Sequence, residues 1–239
     1  MTNQEIKTIQ SLHKKKFRKE LALFILEGRK ILEEALENHP TSIQHIYALE
    51  SEKSWLEKTL IQTSYISEKE LIKLSTLQHP QSIVAVCKSD PLTATNKSFQ
   101  LALDTVQDPG NMGTILRLAS WFGVDEVLLS ENCVELYNPK VVQASMGAIF
   151  TVPVRYVDLA SLLSTAQKPI YGALLEGENV YTTSLKKECI LLMGNEGNGI
   201  SPALQELISD PISIPKFGKG ESLNVAMATG ILLSEIQRG

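Results

Sequence analysis

Residues 191–202 read Leu191-Leu192-Met193-Gly194-Asn195-Glu196-Gly197-Asn198-Gly199-Ile200-Ser201-Pro202. An apolar strand breaks here into a loop with three glycines, and Ser201-Pro202 then opens a helix. The run from Ile190 to Met193 has no polar alternation, the pattern of a strand covered on both faces of a parallel sheet. In such sheets ligands bind beyond the carboxyl ends of the strands, where this loop lies. The loop lacks the Gly-Lys-Ser/Thr ending of a phosphate-binding loop and the spacing of the dinucleotide fingerprint, which argues against ordinary phosphate cradling. Glu196, at the strand's end, is either an acidic site residue or a solvated turn residue.

On either side of this block, strands and helices alternate. Near-continuous apolar runs at 101–106, 124–130, 152–157, 170–175, 190–193 and 212–214 predict strands. Helical periodicity falls between them at 114–122, 139–149, 159–166 and 202–209, and again at 223–237. By general rules this is an α/β domain with an open, doubly wound parallel sheet. Upstream, residues 88–98 (KSDPLTATNKS) are polar and turn-rich, as a linker is, and place a domain boundary near residue 95. The first part, 1–95, reads as a small α/β unit: a charged helix to about residue 20, a strand at 23–26 and Glu27-Gly28 opening a helix at 29–37. A strand at 43–48, helices at 51–59 and 67–77, and a closing strand at 82–87 complete it.

Two more blocks in the second part, 96–239, carry chemistry. Asp104 to Arg117 (DTVQDPGNMGTILR) passes from a strand end through a Pro-Gly turn into a helix whose N-terminus offers free N–H groups. Asn111 taken alone is a helix-cap candidate, and Arg117 either snorkels to solvent or points into a polar site. Ile212 to Val225 (ISIPKFGKGESLNV) ends a short strand at proline and enters the last helix. Ser222 suits the cap of that helix; Asn224 then falls in the first turn, where asparagine is a poor helix former without a partner for its amide.

Together the three blocks resemble the motifs of the SpoU/TrmH family of SPOUT methyltransferases: Asn111-x-Gly113-x-x-x-Arg117, Gly194-x-Glu196-Gly197 and Ser222-Leu223-Asn224-Val225, in that order. The segment from Asn138 to Pro153 (NPKVVQASMGAIFTVP) also resembles the family's stretch between the first two motifs. The resemblance covers essentially 99–239, and 1–95 is similar to the family's small substrate-binding domain. It implies a deep trefoil knot, which periodicity cannot reveal. It also implies a homodimer and transfer of a methyl group from S-adenosylmethionine to a ribose 2′-hydroxyl, in ribosomal rather than transfer RNA. On this resemblance the cofactor contacts are Met193, Gly194, Ile214, Ser222 and Leu223. The catalytic and orienting set is Arg117, Asn111, Glu196, Ser222 and Asn224. RNA contacts are expected at Lys14, Lys15, Lys16, Arg18, Lys19, Arg29, Lys30 and Lys140, with Lys216 and Lys219 near the site. Single-stranded or loop RNA is favoured, because a duplex shows little in its narrow major groove.

Composition bounds these expectations. The formal net charge is −4, so any RNA-binding surface is local; five cations in the six positions Lys14–Lys19 fit either such a surface or a solvated helix face. No apolar run reaches the roughly 20 residues of a membrane span, and no signal-peptide pattern starts the chain, so a cytoplasmic protein with no membrane partner is expected. Cys87, Cys133 and Cys189 are far apart, and the four histidines have no ligand spacing, which points to reduced thiols and no metal. Two rival readings remain: a non-catalytic RNA-binding or ribosome-assembly protein with the same fold, and a nucleotide-dependent enzyme unrelated to RNA.

Overall fold

The computed structural model describes residues 1–239. In chain order its elements begin with helices α1 (Asn3–Ser11) and α2 (Lys15–Leu21), strand β1 (Leu23–Glu27), α3 (Arg29–Asn38) and β2 (Ile43–Ala48). Next come α4 (Lys53–Leu56), β3 (Thr63–Tyr65), α5 (Glu68–Leu74), β4 (Ile83–Lys88), β5 (Phe99–Leu103) and α6 (Pro109–Trp121). They are followed by β6 (Glu126–Leu129), α7 (Pro139–Ser145), β7 (Val154–Tyr156), α8 (Leu159–Ser164) and β8 (Ile170–Asn179). The chain finishes with β9 (Cys189–Met193), α9 (Pro202–Gln205), β10 (Asp210–Ser213) and α10 (Val225–Arg238). No helix is long and apolar enough to cross a membrane.

Two compact units form. The first comprises Met1–Asp90 together with Glu135–Thr151. Its sheet has the order β1-β4-β2-β3, with β4 antiparallel to both neighbours and β3 parallel to β2. Residue Asp90 lies inside the polar stretch expected to be a linker, but the sequence reading left 135–151 with the later part of the chain. Aromatic packing accounts for the difference: Tyr137 stacks on Phe24 with ring centroids 4.5 Å apart, and Phe150 lies 6.2 Å from the same ring. Two details of the sequence reading also change. The single helix expected to residue 20 is two helices, and the helix expected at 51–59 is a 3-10 turn followed by the one turn of α4.

Arg18 is corrected as well. It is 4% exposed, with Nε donating to Glu135 Oε1 at 2.9 Å, Nη2 to Glu135 Oε2, and Nη1 to the Leu12 carbonyl at 2.7 Å. A guanidinium with its fork on a carboxylate and its remaining arm on a carbonyl has no face to offer a phosphate. Arg18 therefore leaves the expected RNA-contacting set. Glu27 is likewise structural: only 3% exposed, it accepts from Thr76 N at 2.8 Å, from the Thr76 hydroxyl at 2.5 Å and from the Ser75 hydroxyl.

The second unit, Pro91–Val134 with Val152–Gly239, holds a six-stranded sheet of order β10-β8-β9-β5-β6-β7. All of its pairings are parallel. Every residue of β5, β6 and β9 is buried, which is why these strands read as unbroken apolar runs. The exceptions are paired: Gln100 and Glu126 are buried, Gln100 Nε2 donates to Glu126 at 2.6 Å, and Arg155 Nε donates to the same carboxylate at 3.0 Å. Burial pushes the Glu126 carboxyl up, but the bonds from Arg155 and Gln100 more than offset it and hold the group below the usual range. All three cysteines are buried.

Removing one member of a buried ion pair leaves the other uncompensated. Arg18→Met is expected to destabilise the first unit by about 3 kcal/mol, measured by urea denaturation. The double variant Arg18→Met with Glu135→Leu should recover much of that loss.

Candidate active site

Register sets the site's position. Leu103 of β5 pairs with Met193 of β9, so both strands end side by side, and Asp104 N donates to the Met193 carbonyl at 2.9 Å. Asp104 is 5% exposed; its Oδ2 accepts from Ser201 N at 2.8 Å, and its Oδ1 from the Thr105 hydroxyl at 2.8 Å. One buried carboxylate thereby pins the far end of the glycine loop to the end of β5.

Asn195 shapes the loop between. Its Oδ1 accepts from Gly197 N at 2.9 Å and Asn198 N at 3.0 Å, and its Nδ2 donates to the Thr105 carbonyl at 2.7 Å. Its backbone exchanges two bonds with Gly199, which has a φ of +68°. At Gly194 the chain leaves no room: a Cβ would lie 2.1 Å from Gly199 C and 2.2 Å from Ile200 N. Glycine is required there by close approach of backbone to backbone.

Three residues from three separate segments of the chain then join. Asn111 Nδ2 donates to Glu196 Oε1 at 3.1 Å, an oxygen that also accepts from Asp108 N at 3.3 Å. Asn224 Nδ2 donates to Asn111 Oδ1 at 2.9 Å. Asn224 Oδ1 accepts from Ala226 N at 2.9 Å and Met227 N at 3.3 Å, which makes Asn224 the N-cap of α10. The sequence reading favoured Ser222 as that cap; in the structure Ser222 stays in the exposed loop before it. At the other helix, Asp108 is the cap, accepting from Asn111 N at 2.7 Å, so α6 starts earlier than its apolar pattern indicates and Asn111 lies in its first turn.

Of the three joined residues, Glu196 borders a cavity of about 660 Å³. Met193, Gly194, Glu196, Ile214, Ser222 and Leu223 all line it, with Ile212, Val225 and Leu232 adding apolar surface. Arg117 stands apart. It is exposed on α6, six residues after Asn111, which places it roughly 120° around the helix and about 9 Å further along. No hydrogen bond joins it to the other four residues of the expected set. In the first unit, Lys14, Lys15, Lys16, Lys19, Lys30 and Lys140 are exposed. Arg29 lies over the Trp55 ring at 4.6 Å and bonds Glu33 at 3.0 Å. Asp104 and Asn195 are functional in holding the loop, and no motif in the sequence marks either of them. A carboxylate closing an apolar strand was the available signal, since a buried charge needs partners.

A model of the SpoU rRNA methylase family matches residues 98–234. The chain belongs to that family. A second model, the MRM3-like substrate binding domain, matches residues 3–85 of this SpoU-family chain. The 23S rRNA (guanosine(2553)-2′-O)-methyltransferase RlmP of Bacillus subtilis (strain 168) is 33% identical over 241 residues, covering 98% of this chain and 96% of that protein. The solved structure of a TrmH-family protein from Porphyromonas gingivalis has a TM-score of 0.88 at 34% identity, covering 100% of this chain and 98% of that one. An AdoMet-bound rRNA methyltransferase from Sinorhizobium meliloti has a TM-score of 0.87 at 27% identity, covering 100% and 95% of the two chains.

The glycines of the SpoU-type site differ in what they tolerate. Gly194→Ala should cost about 1–3 kcal/mol in urea denaturation, because only backbone can yield to the new methyl group. Gly218→Ala, whose Cβ would meet nothing within 4 Å, should change stability by less than about 0.5 kcal/mol.

Proposed function

We propose that this chain methylates a ribose 2′-hydroxyl of RNA with S-adenosylmethionine as donor, and that the RNA is ribosomal. The observation that carries the reading is the Asn224–Asn111–Glu196 hydrogen-bonded set, whose Glu196 lines the cavity, in a chain of this family. The cavity suits the donor: its volume falls in the usual range for small-molecule sites, and the Gly194 cradle presents backbone rather than side chains. Met193, Gly194, Ile214, Ser222 and Leu223 would hold the adenosine and amino-acid parts. The bound donor supplies an electrophilic methyl group.

The protein's share is alignment and charge. Fixing the hydroxyl in line with the methyl group can supply on the order of 7–11 kcal/mol. Asn111, Glu196, Ser222 and Asn224 orient the ribose, and the bonds among three of them keep the amides and the carboxylate from rotating. Arg117 stabilises the negative charge that develops on the 2′ oxygen. A guanidinium keeps its own proton at neutral pH, so a phosphate oxygen or water takes the one released.

Arg117 is proposed to act at the interface of a homodimer. A groove on α6 and α10 is lined by Thr114, Leu118, Phe122, Met227, Gly230 and Ile231, and Met227 is 63% exposed in it. Arg117 stands about one helical turn beyond Thr114, beside that groove. The trefoil knot is proposed as well, supported by β9 lying between β8 and β5 while the last helix, α10, packs back on α6. The first unit is the proposed RNA-gripping part, through its exposed lysines and without Arg18. The proposed location of this work is the cytoplasm, in keeping with the bacterial 23S rRNA methyltransferases the chain resembles.

Two measurements test the reading. Total RNA from a strain lacking the gene, incubated with the protein and labelled donor, should gain a ribose resistant to alkaline hydrolysis; no label in any RNA, together with no saturable heat from S-adenosylmethionine in calorimetry, would favour a binding-only role. In single-turnover assays Arg117→Ala should slow transfer about 100- to 1,000-fold, with Lys recovering part of the loss. An undiminished rate for Ala would remove Arg117 from the chemistry.

A further inference from the structure

Between Pro215 and Ser222 the chain runs Lys216-Phe217-Gly218-Lys219-Gly220-Glu221 along the rim of the cavity. Phe217 is 91% exposed, at a position where burying a phenylalanine would be favourable by roughly 1.5–3 kcal/mol. Lys216 and Lys219 are exposed on either side of it. A Cβ at Gly218 or Gly220 would meet nothing within 4 Å, so these glycines do not serve close packing; they leave the loop's backbone unencumbered.

An aromatic ring between two cations at the mouth of a methyl-donor site has two possible partners, the donor's own adenine or a base of the RNA. Charge decides between them. S-adenosylmethionine carries a sulfonium, an ammonium and a carboxylate, a net charge of about +1, and gains nothing from Lys216 and Lys219. An RNA strand brings a phosphate with every nucleotide, and single-strand recognition combines aromatic stacking with lysine contacts to the backbone. The ring's exposure agrees, because the cavity has apolar surface of its own from Ile212, Ile214, Val225 and Leu232.

We propose that Phe217 is a substrate-positioning residue: it stacks on a base next to the methylated nucleotide, while Lys216 and Lys219 hold the adjoining phosphates. The inference rests on the RNA methyltransferase reading and adds the site that fixes the target nucleotide's register over the cavity. Stacking accepts any base, so Phe217 contributes grip and register, and base choice lies elsewhere.

The test uses the full-length protein and an unmodified 23S ribosomal RNA transcript, with RNA retention on filters, donor affinity by calorimetry and methyl transfer all measured. Phe217→Ala is expected to weaken transcript binding about ten-fold and leave donor affinity unchanged, while Phe217→Trp retains binding. Lys216→Gln and Lys219→Gln should each reduce the slope of log affinity against log salt by about 0.7. Unchanged transcript binding in Phe217→Ala, or an equal loss of donor affinity, overturns the proposal; the latter outcome makes the ring a lid on the donor. Should the wild-type protein transfer no methyl group while Phe217→Ala still weakens RNA binding, the catalytic reading falls and the RNA contact stands.

Discussion

The bond from Asn224 to Asn111, and from Asn111 to Glu196, ties together the starts of α6 and α10 and the glycine loop after β9. Each bond contributes only about 1 kcal/mol net. Their value is directional. Asn224 uses its oxygen to cap α10, so its nitrogen must face Asn111; Asn111 then turns its own nitrogen to Glu196, and the carboxylate has one resting place. Polar groups held in this way need little reorganisation when a reacting ribose arrives, the condition under which electrostatic stabilisation is most effective.

The parallel sheet supplies the frame for that arrangement. Because β5, β8, β9 and β10 all run the same way, their carboxyl ends gather at one edge, and the loops that leave them share that edge. The Gly194–Gly199 approach and the Asp104–Ser201 bond then fold the glycine loop after β9 into a wall. Asp104 and Asn195, which touch no reacting group, hold the active residues in place.

Much of this was legible in the chain. The apolar runs mark the strands of the second unit, and the three motif blocks point to residues the fold does gather, apart from Arg117, either on the cavity lining or in the bonds that tie Asn111 and Asn224 to Glu196. What the sequence hid depends on distance. A run of cations reads as solvated or RNA-facing by local rules, and nothing local marks Arg18 as the one whose partner, Glu135, lies 117 residues on. The exchange of roles between Ser222 and Asn224 at the α10 cap turned on two residues of register, below what periodicity resolves. Strand β3, three half-buried residues without alternation, is recognisable only through its pairing with β2.

The first unit's dependence on Glu135–Thr151 has a consequence for how the protein is made. A ribosome delivers residues in order, so the N-terminal sheet emerges well before the ring of Tyr137 that covers Phe24 and the carboxylate that neutralises Arg18. Until then a buried-to-be cation and an aromatic face stand open to the surrounding water. The two units therefore cannot mature as independent beads: the first is finished only after the start of the second has left the exit tunnel, and chaperone contact during that interval would fall on the Phe24 face.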